Sequence, residues 1–429
     1  MKNLQPLSDK NRISSIDTLR GIALLGILLI NIVGMGLPDP SYFDPSLAGG
    51  HEGWNLRVFI INSIFFEGTM RGIFSLLFGA GIVLFVNNKE EEGNRFDLLE
   101  VWFRRLILLV LFGMLHAYVF LWPGDILFSY GMIGLLLFPF RRLSPIKLIG
   151  ISLSIIMLGV VLNFQDTKTA KVQQSQYFEG NVLISKGEIL PYDTMIGYYN
   201  WLEKYAIMKP NDAILQSRIK KYQSGYTSAF NENKAYAKFF ESEYHYRHNY
   251  IDILSMMLLG IALFKLKILH AKKSLAFYFT MILIGYGIGI PINYFETMAY
   301  INSDFSLIKY YELMRTYDMG RIATMVGHIG LIMLFCKSGI LLFLKKALAA
   351  VGRMALSNYL MHSLIASIIF VGFKQYGEWE RFELYYLVLA IWIFQLIASP
   401  IWLTYFRFGP MEWLWRSLSY LEKQRFLKH

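Results

Sequence analysis

Six side chains able to carry charge, move a proton or donate a hydrogen bond interrupt otherwise apolar sequence: Asn31, His51, Glu67, Arg71, His116 and Asp125. A histidine titrates near neutral pH and can work as a general base or as a nucleophile. A carboxylate such as Asp125 can orient a histidine, His116 or His51 being the candidates. A carboxamide such as Asn31 can donate to an oxygen that gains negative charge. Each residue also has a purely structural reading. Asn31 can bond a neighbouring helix, His116 a backbone carbonyl, and Asp125, after Pro123 and Gly124, can cap a helix start. Glu67 and Arg71 stand four apart in the favourable order for a helical ion pair, which makes them structural or substrate-positioning residues. By spacing alone His51, in the loop "AGGHEGWN", reads as a solvated bystander. Asp17 and Arg20 read as an interfacial cap and a snorkelling anchor.

The elements that position these groups are membrane helices. Of the 429 residues 55% are hydrophobic and 16% aromatic, and only 17% are charged, against about a quarter in soluble domains. Mean hydropathy is +0.39. The fold class is therefore all-α, a polytopic integral membrane protein in a lipid bilayer. With roughly twenty apolar residues per crossing, ten spans are expected, near 20–37, 57–87, 104–122, 125–140, 146–163, 249–265, 274–294, 318–336, 354–373 and 384–406. The second is too long for one straight helix and contains "FFEGTMRG", so a break or re-entrant turn is expected there. The apolar stretch Ile340–Leu348 is too short to cross and suits the interface. No small-residue cleavage site follows the first apolar run, which reads as a retained span.

Three regions follow: an N-terminal bundle of five spans (1–163), a polar segment (164–248) with the composition of an external domain or long loop, and a C-terminal bundle with a basic tail (249–429). A short helix is expected near 211–225 inside the polar segment. The net charge is +11, and it reflects topology rather than nucleic-acid binding. Lys2, Lys10, Arg12, Lys89, Arg104, Arg105, Arg141, Arg142, Lys345, Lys346 and Arg353 all fall on one side if both termini are cytoplasmic. The one cysteine, Cys336, permits no internal disulfide, and no metal-ligand spacing is present.

Depth arithmetic gathers the polar groups. Asn31 lies ten residues past Gly21 and His116 ten past Leu106, each ~15 Å along a helix. Asp125 and His51 belong to the outer end, as do Asn293 and Arg321, with His328 and His362 nearer mid-span. Positive charge collects at the inner surface instead. This layout suits a protein that joins an anionic cytoplasmic ligand to chemistry on the outer side.

Several stretches then resemble one bacterial family in order along nearly the whole chain: "SSIDTLRGIALLGILLIN" (14–31), "FEGTMRGIFSLLFGAG" (66–81), "GMLHAYVFLWPGDILFSYGMIGLLL" (113–137), "VGRMALSNYLMHS" (351–363) and "GPMEWLWRSLSY" (409–420). On these the chain is identified as a member of the YeiB-type (DUF418) membrane proteins. The opening also resembles heparan-α-glucosaminide N-acetyltransferase, which pairs an Asp-x-x-Arg-Gly start and a first-span Asn with a loop His before Trp-Asn, as in His51, Trp54 and Asn55 here. That resemblance implies transmembrane acyl transfer in a bacterial cell membrane, from cytoplasmic acetyl-CoA or another acyl-CoA to an extracytoplasmic amine or hydroxyl acceptor, such as a sugar. It implies a catalytic role for His51, as base or acyl carrier, with Asn31 supporting the thioester oxygen. Arg20 and Arg353 are the candidates for the CoA phosphates, and His116 and Asp125 complete the expected catalytic set. A homodimer is a candidate assembly. Two features depart from that enzyme: the linker between Asn31 and His51 is longer, and the long polar segment lies between the fifth and sixth spans. The competing expectation is a transporter or a solute- or lipid-binding membrane protein without chemistry.

Overall fold

The computed structural model describes residues 12–87 and 95–428, apart from the side chains of 86, 87 and 95–97. Lys2, Lys10 and Lys89 of the charge pattern lie outside these residues. Among the described residues there are helices and no β-strand: α1 (Ser14–Gly36), α2 (Gly53–Ile61), α3 (Thr69–Asn87), α4 (Arg95–Tyr118), α5 (Leu127–Leu137), α6 (Pro145–Ser185), α7 (Tyr192–Met208), α8 (Asp212–Gln223), α9 (Tyr226–Glu241), α10 (Tyr250–Lys265), α11 (Leu275–Asn302), α12 (Leu307–Leu313), α13 (Tyr317–Lys337), α14 (Leu342–Arg353), α15 (Ala355–Ala366), α16 (Leu384–Tyr405) and α17 (Pro410–Tyr420).

Seven helical segments among the described residues are long and apolar enough to cross a membrane: α1, Gly53–Phe85, α6, α11, α13, Ala355–Gly372 and α16. The chain is a multi-pass membrane protein. The expected spans 104–122, 125–140 and 249–265 fall on α4, α5 and α10. The last two, 11 and 16 residues long, are shorter than the roughly twenty residues of a straight crossing. Both sit inside the bundle, where Tyr130, Ile133 and Met256 belong to the main apolar core with Leu24 of α1 and Leu76 of α3.

The polar segment 164–248 is not a loop. Ser144 caps α6, Pro145 starts it, and the helix then runs unbroken for 41 residues, about 60 Å at the α-helical rise. Its first half is apolar and peripheral, with Met157 and Val161 exposed. Its second half is polar and packs against α7, while α8 and α9 pack on each other. The expected helix near 211–225 is α8, capped by the Asn211 side chain, which accepts the Ile214 N–H.

The break expected in "FFEGTMRG" is present. A π-helical turn, Asn62–Phe66, ends at Glu67 in an extended conformation, and Gly68 follows at φ +66° before α3 begins. Gly68 is where a side chain would be strained. A broken helix frees carbonyls that lipid cannot satisfy. Asn293 of α11 donates to the Ile64 carbonyl at 2.8 Å, and His328 of α13 meets the Phe65 carbonyl at 2.7 Å through Nε2. These two polar residues, legible as isolated oddities in the sequence, repair the break.

Close crossings of small residues hold the bundle. At Gly21 on α1 and Gly352 on α14 the backbones meet. A Cβ at Gly21 would strike the Leu348 carbonyl, and one at Gly352 the Asp17 carbonyl. Without a hydrophobic drive between helices in lipid, such contact is a main source of association. Gly352→Val is expected to destabilise the protein by about 1–3 kcal/mol, read as a lower thermal midpoint in detergent. An unchanged midpoint contradicts the backbone crossing.

Candidate functional site

The ends of α1, α4, α14 and α17 meet at the basic end of the bundle. Between them and α3, α5 and α15 lies a cavity of about 270 Å³. Five arginines reach its lip, Arg12, Arg20, Arg105, Arg353 and Arg416, against two carboxylates, Asp17 and Glu412. Arg12 and Arg20 share Asp17, at 3.1 and 3.0 Å. The Arg105 guanidinium lies 4.0 Å from the Trp415 ring centre, and the Trp415 indole donates to the Arg105 carbonyl at 2.9 Å. Glu412 serves the start of α15, where it accepts the Leu356 N–H at 2.6 Å, the Ser357 N–H at 3.1 Å and the Ser357 hydroxyl at 2.6 Å. Burial pushes the Glu412 carboxyl up against these bonds. Burial, with the neighbouring Arg105 and Arg12, pulls Arg416 down to about 10. The lip thus holds crowded positive charge that an anion would relieve.

Away from the arginines the lining is apolar, a shaft walled by Phe74, Phe78, Leu106, Leu109 and Leu356, with Tyr130 and Tyr359 also on its wall. The cavity volume lies just below the roughly 300–1,000 Å³ of small-molecule sites. A slender chain fits inside, with a bulky anionic head at the lip. The Tyr130 hydroxyl is tied to the Ser75 hydroxyl at 2.7 Å. The Tyr359 ring lies edge-on to His116, with centroids 4.8 Å apart.

His116 is fully buried in the last turn of α4 and is bonded at both nitrogens. Nδ1 is 2.6 Å from Asp125 Oδ1, and Nε2 is 2.7 Å from the Ser363 hydroxyl. Asp125 Oδ2 also accepts the Phe128 N–H at 2.8 Å. Asp125 therefore serves the start of α5 and orients His116 together. Sequence reasoning reached His116 and Asp125 but not Ser363. Its only signal was its place at the end of "VGRMALSNYLMHS", one turn beyond Tyr359.

Of the other expected site residues, Arg20 and Arg353 line the cavity, and the rest lie elsewhere. Asn31 is half-buried on α1, one turn from Gly34, which packs on the Trp122 ring. Close by, the Leu29 carbonyl accepts from Tyr385 at 2.9 Å. His51 is exposed, with its ring edge-on to Phe305 at 6.5 Å. Its neighbour Asn55 ties the segment before α16, donating to Glu380 and accepting the Phe382 N–H, each at 2.9 Å.

Glu67 and Arg71 do not pair with each other, which corrects the helical ion pair. The break at Gly68 removes the i,i+4 geometry. Glu67 accepts from Tyr42 at 2.6 Å and from Tyr317 at 3.2 Å. Arg71 pairs instead with Asp252 of α10 at 3.0 Å, and Asp252 also holds Arg321 of α13 at 2.5 Å. One carboxylate thus ties three helices. Asp252→Ala is expected to cost about 3–5 kcal/mol, because it strands Arg71 inside the bundle and leaves Arg321 with Asp318 alone. Thermal unfolding in detergent reads the loss, and Asp252→Glu should retain part of it. A midpoint equal to wild type refutes the shared tie.

Comparison with known proteins places the chain. The family described as "Protein of unknown function (DUF418)" matches residues 263–422. "Uncharacterized protein YxaH" of Bacillus subtilis (strain 168) is 30% identical over 446 residues, covering 100% of this chain and 99% of the relative. "Uncharacterized protein YeiB" of Escherichia coli (strain K12) is 29% identical over 417 residues, covering 94% and 95%. "Uncharacterized 39.9 kDa protein in amylase 3'region" of Bacillus acidopullulyticus is 26% identical, covering 98% and 97%. No solved structure matches the chain. The match to the Bacillus subtilis relative runs over the whole chain, and the chain belongs to the YeiB-type DUF418 family of membrane proteins.

Proposed function

We propose that the protein is an acyl-CoA-dependent transmembrane acyltransferase of the bacterial cell membrane. The observation that carries this reading is the cavity: an arginine lip, an apolar shaft, and a buried His–Asp pair behind one aromatic ring of the shaft's wall. A CoA thioester has matching parts. Its phosphates suit clustered guanidinium groups, and its slender pantetheine arm suits the shaft. Arg20 and Arg353 bind the phosphates, with Arg12, Arg105 and Arg416 around them. In this reading both termini and the lip are cytoplasmic, and ten helical segments compose the membrane domain.

His116 is then the base. Asp125 accepts from Nδ1–H, so the bare Nε2 is free to receive a proton. The shaft leads toward His116, whereas His51 is exposed and bonded to none of these groups. His51 and Asn31 fit better on the path of the acceptor amine or hydroxyl, which arrives from the opposite side. A second reading has its own support: an arginine lip over an apolar shaft also suits an anionic lipid, with phosphate at the lip and one acyl chain inside.

Thermal unfolding with added CoA separates the two. Ligand that binds only the folded protein stabilises it by about 2.7 kcal/mol at a hundredfold excess over Kd. CoA and acetyl-CoA are expected to raise the midpoint, and Arg20→Ala or Arg353→Ala to weaken that binding about 10- to 100-fold. Thiol release from acetyl-CoA should fall to background in His116→Ala. Absence of any shift across acyl-CoAs, with a shift for phosphatidic acid, would replace acyl transfer with lipid binding.

A further inference from the structure

The bonding at His116 extends to a nucleophile. Helical serines commonly turn the hydroxyl back onto their own helix, as Ser75 does to the Arg71 carbonyl and Ser419 to the Trp415 carbonyl. Ser363 instead directs its hydroxyl to His116 Nε2 at 2.7 Å, across from α15 to α4. With Asp125 accepting from Nδ1–H, Nε2 is the acceptor and the Ser363 O–H the donor. The order serine hydroxyl, imidazole, carboxylate is that of an activated nucleophile, whatever fold carries it. All three side chains are buried.

Two further groups stand beside this line. The Tyr359 hydroxyl and the Trp122 indole N–H are buried and complete no hydrogen bond, although Trp122 and the Ile126 N–H lie near the Tyr359 hydroxyl. Unpaired donors in a water-poor site are what a developing oxyanion needs. Tyr359 also lines the shaft, and Ser363 lies one helical turn beyond it on the same face of α15. For a thioester in the shaft to reach the serine, the Tyr359 ring has to turn aside.

We propose that Ser363 is the acyl-carrying nucleophile, so that transfer proceeds through an acyl-serine inside the membrane. This rests on the acyl-CoA reading above. In the first half, Ser363 Oγ attacks the thioester carbonyl carbon. The new C–O bond replaces the C–S bond, and the serine proton passes through His116 to the departing sulfur, which leaves as free CoA thiol. In the second half, an acceptor amine or hydroxyl attacks the acyl-serine. Its bond to the carbonyl carbon replaces the C–Oγ bond, and its proton returns through His116 to Oγ. Asp125 acts through His116 as a positioning residue.

Two probes test this on the full-length purified protein. Radiolabelled acetyl-CoA, followed by acid quench and peptide mapping, is expected to leave acetyl on the peptide holding Ser363, and none in Ser363→Ala. A fluorophosphonate, which needs no CoA site, is expected to label Ser363 in wild type and not in His116→Ala. Asp125→Asn should slow both reactions and displace the pH dependence of their rates, while the CoA-induced thermal shift persists. Ser363→Ala should keep that shift too, which separates lost chemistry from lost folding or binding. Undiminished acetyl transfer by Ser363→Ala, or acetyl on a histidine peptide, overturns the serine and leaves the acyl-CoA reading standing. Fluorophosphonate labelling without any CoA-induced shift overturns the acyl-CoA reading and keeps the activated serine.

Discussion

In hydrocarbon, a polar group has no solvent to fall back on, so each must find a partner inside the protein. The architecture is organised by that requirement. The α2–α3 break frees carbonyls, and Asn293 and His328 take them. Two arginines enter the bundle, and Asp252 answers both. His116 is fully enclosed, and Asp125 and Ser363 occupy its two nitrogens. At the basic end of the bundle the balance differs: five arginines and two carboxylates line one cavity, and the excess positive charge suits an anionic ligand.

That distinction separates structural from functional polarity among the polar residues of these helices. His362 is tied to Gln395 and Asn358 to Ser399. Arg321 is bound by two carboxylates. These close on themselves and join helices. The basic cavity gathers five arginines and two carboxylates on its lining, and one of those carboxylates, Glu412, is bonded to the start of α15. Tyr359, on the same lining, stacks edge-on against His116.

Much of this was legible in the sequence. Apolar runs of helical length matched the helices long enough to span, and the second run announced a break because it was too long for one straight helix and carried the polar interruption "FFEGTMRG". His116 and Asp125, named from the sequence as possible partners, do meet. Arg20 and Arg353, named as basic candidates, line one cavity. The remainder depends on contacts distant in sequence. Whether Asp125 meets His116 or His51, and that Arg71 meets Asp252 rather than Glu67, follow from helix crossings that no local spacing encodes. Ser363 was hidden because a serine in a membrane helix is ordinary until its partner is known. The helicity of 164–248 was missed because a polar segment reads as a loop when its helix is continued from an apolar one.

The central claim is that the cavity between α1, α3, α4, α5, α15 and α17 is the acyl-CoA site. A photoreactive acyl-CoA, cross-linked to the purified protein in lipid nanodiscs and mapped by mass spectrometry, tests it most directly. The account predicts cross-links on α4 and α15 at the shaft, near Leu109 and Tyr359, that free CoA competes away. Cross-links confined to the segment around His51, with the cavity unlabelled, would contradict it.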